Sequence, residues 1–204
     1  KPLLDSAMQA QQKAVELEDG AANVHNELGI LYLYQQNETK AIQHLLRATM
    51  IAPTWAIPWA NLSGIYMGKN NLSEAAKALD IAWKLQPEFQ GNFVNTGLLQ
   101  ERKGNLLLAE EHFRKSIRMN SRHYLPFERM GYICMNTTRY AEADSNFLEA
   151  DKRKRGFNFI PTVNQYNEGF LVYPPVPPPP PCDFDTSKVK PNDALGHFMI
   201  GLNY

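Results

Sequence analysis

The feature that most constrains this 204-residue chain is a pattern that returns every 34 residues. It is clearest between Ala56 and Phe89. There Trp59, Leu62, Tyr66, Ala75, Leu79 and Ala82 follow the spacing that lines one face of a helix. Asn70 and Asn71 interrupt the spacing, so the stretch reads as two short helices folded on each other. Pro87 closes the second, because proline lacks the backbone donor and biases the residue before it away from helix. One such pair cannot bury its own apolar stripe. A neighbour of the same shape can.

The pattern recurs in both directions. One step back gives His25, Leu28, Gly29, Tyr32, Ala41, Leu45, Ala48 and Pro53. One step forward gives Phe93, Thr96, Gly97, Gln100, Ala109, Phe113 and Ser116, and a further step gives Phe127, Met130, Gly131, Cys134, Ala143, Phe147 and Ala150. Gly29, Ser63, Gly97 and Gly131 stay small where two helices must approach closely, while the side chains beside them vary. Each pair is split by turn residues: Gln36 and Asn37, Asn70 and Asn71, Gly104 and Asn105, Thr137 and Thr138.

Laid out this way, the chain resembles the tetratricopeptide repeats, whose aromatic-x2-Leu-Gly-x2-Tyr, Ala-x3-Phe, Ala and Pro pattern has the same period. The third repeat departs at Thr96, Gln100 and Ser121, and the fourth at Cys134. The resemblance implies an all-α solenoid of stacked helix–turn–helix repeats in a right-handed superhelix. The array is expected over 1–156, with a partial repeat at 1–21 and repeats at 22–55, 56–89, 90–123 and 124–156. Leu3 to Leu17 reads as a second helix whose first helix is missing, so the array is expected to begin before Lys1.

Beyond the array the composition changes. Residues 157–191 combine nine apolar side chains between Phe157 and Tyr173 with seven prolines between Pro174 and Pro181. This is expected to be an irregular apolar segment that caps the array or folds into its groove, followed by a polyproline linker. In 192–204, Ala194, His197, Ile200, Gly201 and Tyr204 restart the pattern as the first helix of a further, truncated repeat. The basic run Lys152 to Arg155 before Gly156 suits a helix C-terminus.

No chemistry stands out. The 21 basic and 21 acidic residues cancel, which removes a general electrostatic claim on nucleic acid or membrane. No apolar run is long enough to span a bilayer. Cys134 and Cys182 form no zinc or disulfide framework, and no phosphate loop or nucleophile elbow appears, so no metal, cofactor or catalytic residue is expected. His25 and His197 share one register, and His44 and His112 another, which points to packing or surface.

Function is therefore expected on the surface that stacking creates. The resemblance implies that first helices line a concave groove, which turns Asn23, Asn26, Glu27, Ile30, Tyr34, Asn61, Asn95, Leu98, Arg102, Arg129 and Tyr132 inward. An amide donates to a peptide carbonyl and accepts from a peptide N–H, so an asparagine ladder suits an extended backbone. The family's clamp for an acidic C-terminus is matched at Asn95 and Arg129 but not at Ala60, Gly64 or Leu125, where its lysines and second asparagine are missing. The expected role is a non-enzymatic scaffold that binds a protein or peptide segment. The alternative is the substrate-recruiting or regulatory arm of a larger multidomain enzyme whose catalytic domain lies outside these residues. Open array ends also leave self-association as an expected property.

Overall fold

The structure, a computed structural model, describes residues 2–17, 19–119 and 123–156. The expected irregular segment, polyproline linker and truncated repeat, with Cys182 and His197, lie outside the described residues. Within them the chain forms nine helices and no strand: α1 (Pro2–Leu17), α2 (Ala22–Tyr34), α3 (Glu38–Ile51), α4 (Ala56–Gly68), α5 (Leu72–Leu85), α6 (Gln90–Arg102), α7 (Leu106–Arg118), α8 (Leu125–Asn136) and α9 (Tyr140–Gly156). They pack as antiparallel pairs, α2 with α3, α4 with α5, α6 with α7 and α8 with α9, and each first helix also rests on the second helix before it. α1 takes that place beside α2.

The pairs close through one local device. Gln36, Asn70, Gly104 and Thr138 all have positive φ, at 61°, 57°, 81° and 61°. The following residue then reaches back over the helix end. Asn37, Asn71, Asn105 and Arg139 each donate at 2.8 Å to the carbonyls of Tyr32, Tyr66, Gln100 and Cys134. The reversal is tight, and the second helix starts at once. Asn37 and Asn71 also cap the helices they precede, accepting from the N–H of Lys40 and Glu74.

The expected small positions are the points of closest contact. A Cβ on Gly29 would stand 2.7 Å from Leu45 Cγ, and one on Gly131 would stand 2.6 Å from Phe147 Cε1. Ser63 fits the second pair because its hydroxyl turns back to the Ala60 carbonyl at 2.7 Å. Ala41, Leu45, Ala75, Leu79, Ala109, Phe113, Ala143 and Phe147 fill the core from the second helices. The basic run at the end of α9 folds onto its own array: Lys154 pairs with Glu128, and the Arg153 guanidinium lies 3.9 Å from the centre of the Phe127 ring.

The expected packing histidines form a small polar cluster. His25 Nδ1 meets His44 Nδ1 at 3.0 Å, and His25 Nε2 meets Asp19 Oδ1 at 3.0 Å. Arg47 holds the other Asp19 oxygen, and with His25 keeps the Asp19 carboxyl below its ordinary range. His44 in turn stacks on Tyr32.

Candidate partner-binding groove

Neighbouring first helices meet directly, α4 against α6, and polar side chains bridge them in series. Asn61 Nδ2 donates to Asn26 Oδ1 at 2.9 Å, joining α4 to α2. Asn95 Nδ2 donates to the Ala60 carbonyl at 3.0 Å, joining α6 to α4. Arg102 donates to the Met67 carbonyl at 2.8 Å at the far end of the same two helices. Arg129 grips Glu101 through two nitrogens, one of them at 2.9 Å, and joins α8 to α6. These rungs hold the first helices in line.

The eleven expected groove residues therefore separate into two sets. Asn26, Asn61, Asn95 and Arg129 are buried between helices, with Asn61 and Asn95 at 0% exposure. The three asparagines were expected to present their amides, and Arg129 its guanidinium, along an open wall. Instead Asn61, Asn95 and Arg129 each spend a donor on the adjacent helix and Asn26 accepts one, because a buried polar group without a partner costs about 1–3 kcal/mol. Arg102 belongs with them, half-buried, and burial lowers its pKa against the pull of Glu101. Ile30 and Leu98 are also buried, at 0% and 1%.

Of the other four, Asn23, Glu27 and Tyr34 keep a surface and Tyr132 is buried. Asn23 and Tyr34 are exposed at opposite ends of α2. Glu27 is half-buried, accepts from Gln11 on α1, and has its carboxyl pKa raised by burial. Tyr132 is 9% exposed, with the Arg129 guanidinium 5.2 Å from its ring centre and the Phe147 ring edge-on at 5.1 Å. Burial, then the nearby Glu128 charge, raise its phenol pKa.

Two amide groups stand out within the rungs. Among the described residues, neither Asn26 Nδ2 nor Asn61 Oδ1 has a hydrogen-bond partner. One is a donor and the other an acceptor, on adjacent helices, and the Asn26–Asn61 bond holds them together. Sequence reasoning missed Glu101, Ser63 and Gln11, which complete the wall. A signal for the rungs was present: three of them join residues 35 apart, one more than the repeat.

Among the described residues no group of three or more His, Cys, Asp or Glu could hold a metal ion, and no helix is long and apolar enough to cross a membrane. Cys134 is buried and its thiol is pushed up to about 11 by that burial.

No protein-family model matches the chain. It is 28% identical over 92 residues to anaphase-promoting complex subunit 3 of Schizosaccharomyces pombe, an alignment covering 45% of this chain and 14% of that protein. Its fold is similar to solved tetratricopeptide-repeat structures. The Cut9 and Hcn1 hetero-tetramer of the anaphase-promoting complex matches with a TM-score of 0.68 at 18% identity, over 74% of this chain and 29% of that one. The pilF protein of Pseudomonas aeruginosa matches with a TM-score of 0.63 at 21% identity, over 74% and 69%. MamA matches with a TM-score of 0.56 at 20% identity, over 75% and 90%. The 34-residue register, the helix pairs it predicts and these likenesses show that the chain has the fold of the tetratricopeptide-repeat solenoids.

Proposed function

We propose that this chain is the partner-holding part of a protein–protein scaffold and takes an extended polypeptide segment along the inner side of its first helices. The observation that carries the reading is the free donor and free acceptor on Asn26 and Asn61. A peptide unit offers one carbonyl and one N–H, the complement of that pair, and would relieve two buried polar groups at once. Exchanging oxygen and nitrogen in both amides keeps the rung and the complement. Tyr34, exposed at the end of α2, supplies an aromatic edge suited to segment recognition. Two of the similar proteins are named as parts of multisubunit assemblies, which fits a holding role.

Selection of random linear peptides on the immobilised full chain tests this. Selected peptides should bind at least tenfold more weakly to Tyr34→Ala and to Arg102→Ala, with the helical circular dichroism of both variants unchanged. If affinity ignores both substitutions, the binding surface is elsewhere and the reading fails.

A further inference from the structure

The third repeat departs from the others where its second helix begins. In that position the four repeats carry Glu38-Thr39-Lys40, Leu72-Ser73-Glu74, Leu106-Leu107-Leu108 and Tyr140-Ala141-Glu142. α3, α5 and α9 each have an acidic residue in the first turn, where the unpaired N–H groups favour negative charge, and α7 has none. Asn105 makes no cap of the kind that Asn37 and Asn71 make, and its amide donates to Gln100 Oε1 at 2.9 Å. Nor do the leucines fill the core. Leu107 is 84% exposed and Leu108 46%, while Ala109 and Phe113 close the pair beneath them. Arg139 binds Glu110 and ties the start of α9 to α7, which brings the half-exposed Tyr140 to the same edge. An exposed apolar patch with a polar rim is the mark of an interaction surface.

The rim tells what fits there. Glu110, Arg114, Arg139 and Glu142 are bound to one another within the chain. Lys103 and Glu111 are exposed and, among the described residues, form no ion pair. They lie four positions before and four positions after Leu107, with opposite sign. A uniformly acidic or basic partner satisfies one of these charges and repels the other. A copy of the same surface, rotated by half a turn about Leu107, sets each base against the other copy's acid.

We propose that this edge holds a second copy of the chain in a two-fold dimer. Leu107 packs on its own counterpart at the axis, Leu106 lies against Leu108, and Lys103 pairs with Glu111 twice. Such a contact closes at two copies, unlike association through the array ends, which repeats without closing. It uses a second helix and the turn before it, away from the rung of Asn26 and Asn61, so the dimer carries two inner faces. A partner with two suitable segments then gains from binding both.

Sedimentation equilibrium of the full chain over a concentration series tests this. The unmodified chain should form dimers and nothing larger. Leu107→Asp should raise the dissociation constant at least tenfold with the helical circular dichroism unchanged, because so exposed a side chain contributes little to the fold. Lys103→Glu and Glu111→Lys should each weaken the dimer, since each sets like charges face to face across it. Both substitutions in one chain exchange the signs and should restore dimerisation, as should mixing the two single variants. A chain that stays monomeric, a dimer that ignores Leu107→Asp, or species that grow past two copies overturns the proposal. A double variant that associates no better than the singles overturns it as well. None of these outcomes bears on the groove reading, which the selected peptides test separately.

Discussion

Gly97 lies directly beneath the ring of Phe113: a Cβ built on Gly97 would stand 2.5 Å from Phe113 Cε1 and 2.7 Å from Cδ1. Any side chain there must push the ring out of a site that is fully buried. Gly97→Leu should therefore cost on the order of 1–3 kcal/mol or more by overpacking. The first two pairs show how to relieve it, since Leu45 and Leu79 occupy the Phe113 register. Gly97→Ala combined with Phe113→Leu should recover part of the loss seen with Gly97→Ala alone in urea unfolding. If the double variant is no better than the sum of the singles, the ring is not the obstacle.

This contact also shows why the fold was legible. Small-against-large pairing is a property of residue type at fixed spacing, and Gly29 with Leu45 and Gly131 with Phe147 repeat it within the 34-residue register. The groove was less legible for a geometric reason. Whether Asn61 faces an open wall or the neighbouring helix depends on how closely α4 approaches α2, which its own repeat does not encode. The stacking distance brings Asn61 to Asn26 and Arg129 to Glu101, and only a search for 35-residue partners would have marked the first. Asn23 and Tyr34 were easier, because residues at helix ends keep their exposure however the pairs stack.

Thr138 is the least suited of the four residues that close the pairs. Its φ of 61° forces a β-branched side chain into the left-handed region, where Gly104 sits without strain at 81°. Thr138→Gly should raise stability by about 1 kcal/mol, the left-handed cost removed less the extra freedom glycine gives the unfolded chain. Asn70→Gly should gain less, because asparagine tolerates this conformation better. Thermal melts of the two variants decide the matter. A lower melting temperature for Thr138→Gly would show that its side chain holds the turn in some other way.

His123 gives the array a dependence on acid. Burial holds its imidazole neutral and pushes its pKa down to about 4. Its Nδ1 accepts from the Leu125 N–H at 3.1 Å, a bond that a proton on Nδ1 would break. The unfolded chain binds that proton near pH 6.5, so between about pH 6.5 and 4 the unfolded state holds more protons and stability falls as pH falls. The contribution is complete above pH 6.5, and its loss approaches roughly 3 kcal/mol near pH 4. Burial also lowers His44 and His112, which add in the same direction. Urea midpoints measured at pH 7 and pH 5 should fall less for His123→Gln than for the unmodified chain. An identical fall would remove His123 from the account.

The Arg129–Glu101 rung is the most exacting of the inner contacts. Arg129 is 3% exposed, its guanidinium is shared between Glu101 and the Tyr132 ring, and α8 is tied to α6 through it. Removing one partner leaves the other charge in a place water does not reach, which typically costs about 3–5 kcal/mol. Glu101→Leu alone should therefore destabilise the array strongly. Arg129→Leu with Glu101→Leu should be milder than either single change, because the double variant leaves no uncompensated charge. Loss of the rung also frees α8 from α6, so protection from amide hydrogen exchange should drop first in α8 and α9. Additive single and double effects would mean that the two charges are screened from each other, and that the last pair is held by the packing of α8 on α7 and the Arg139–Glu110 and Arg114–Glu142 ion pairs.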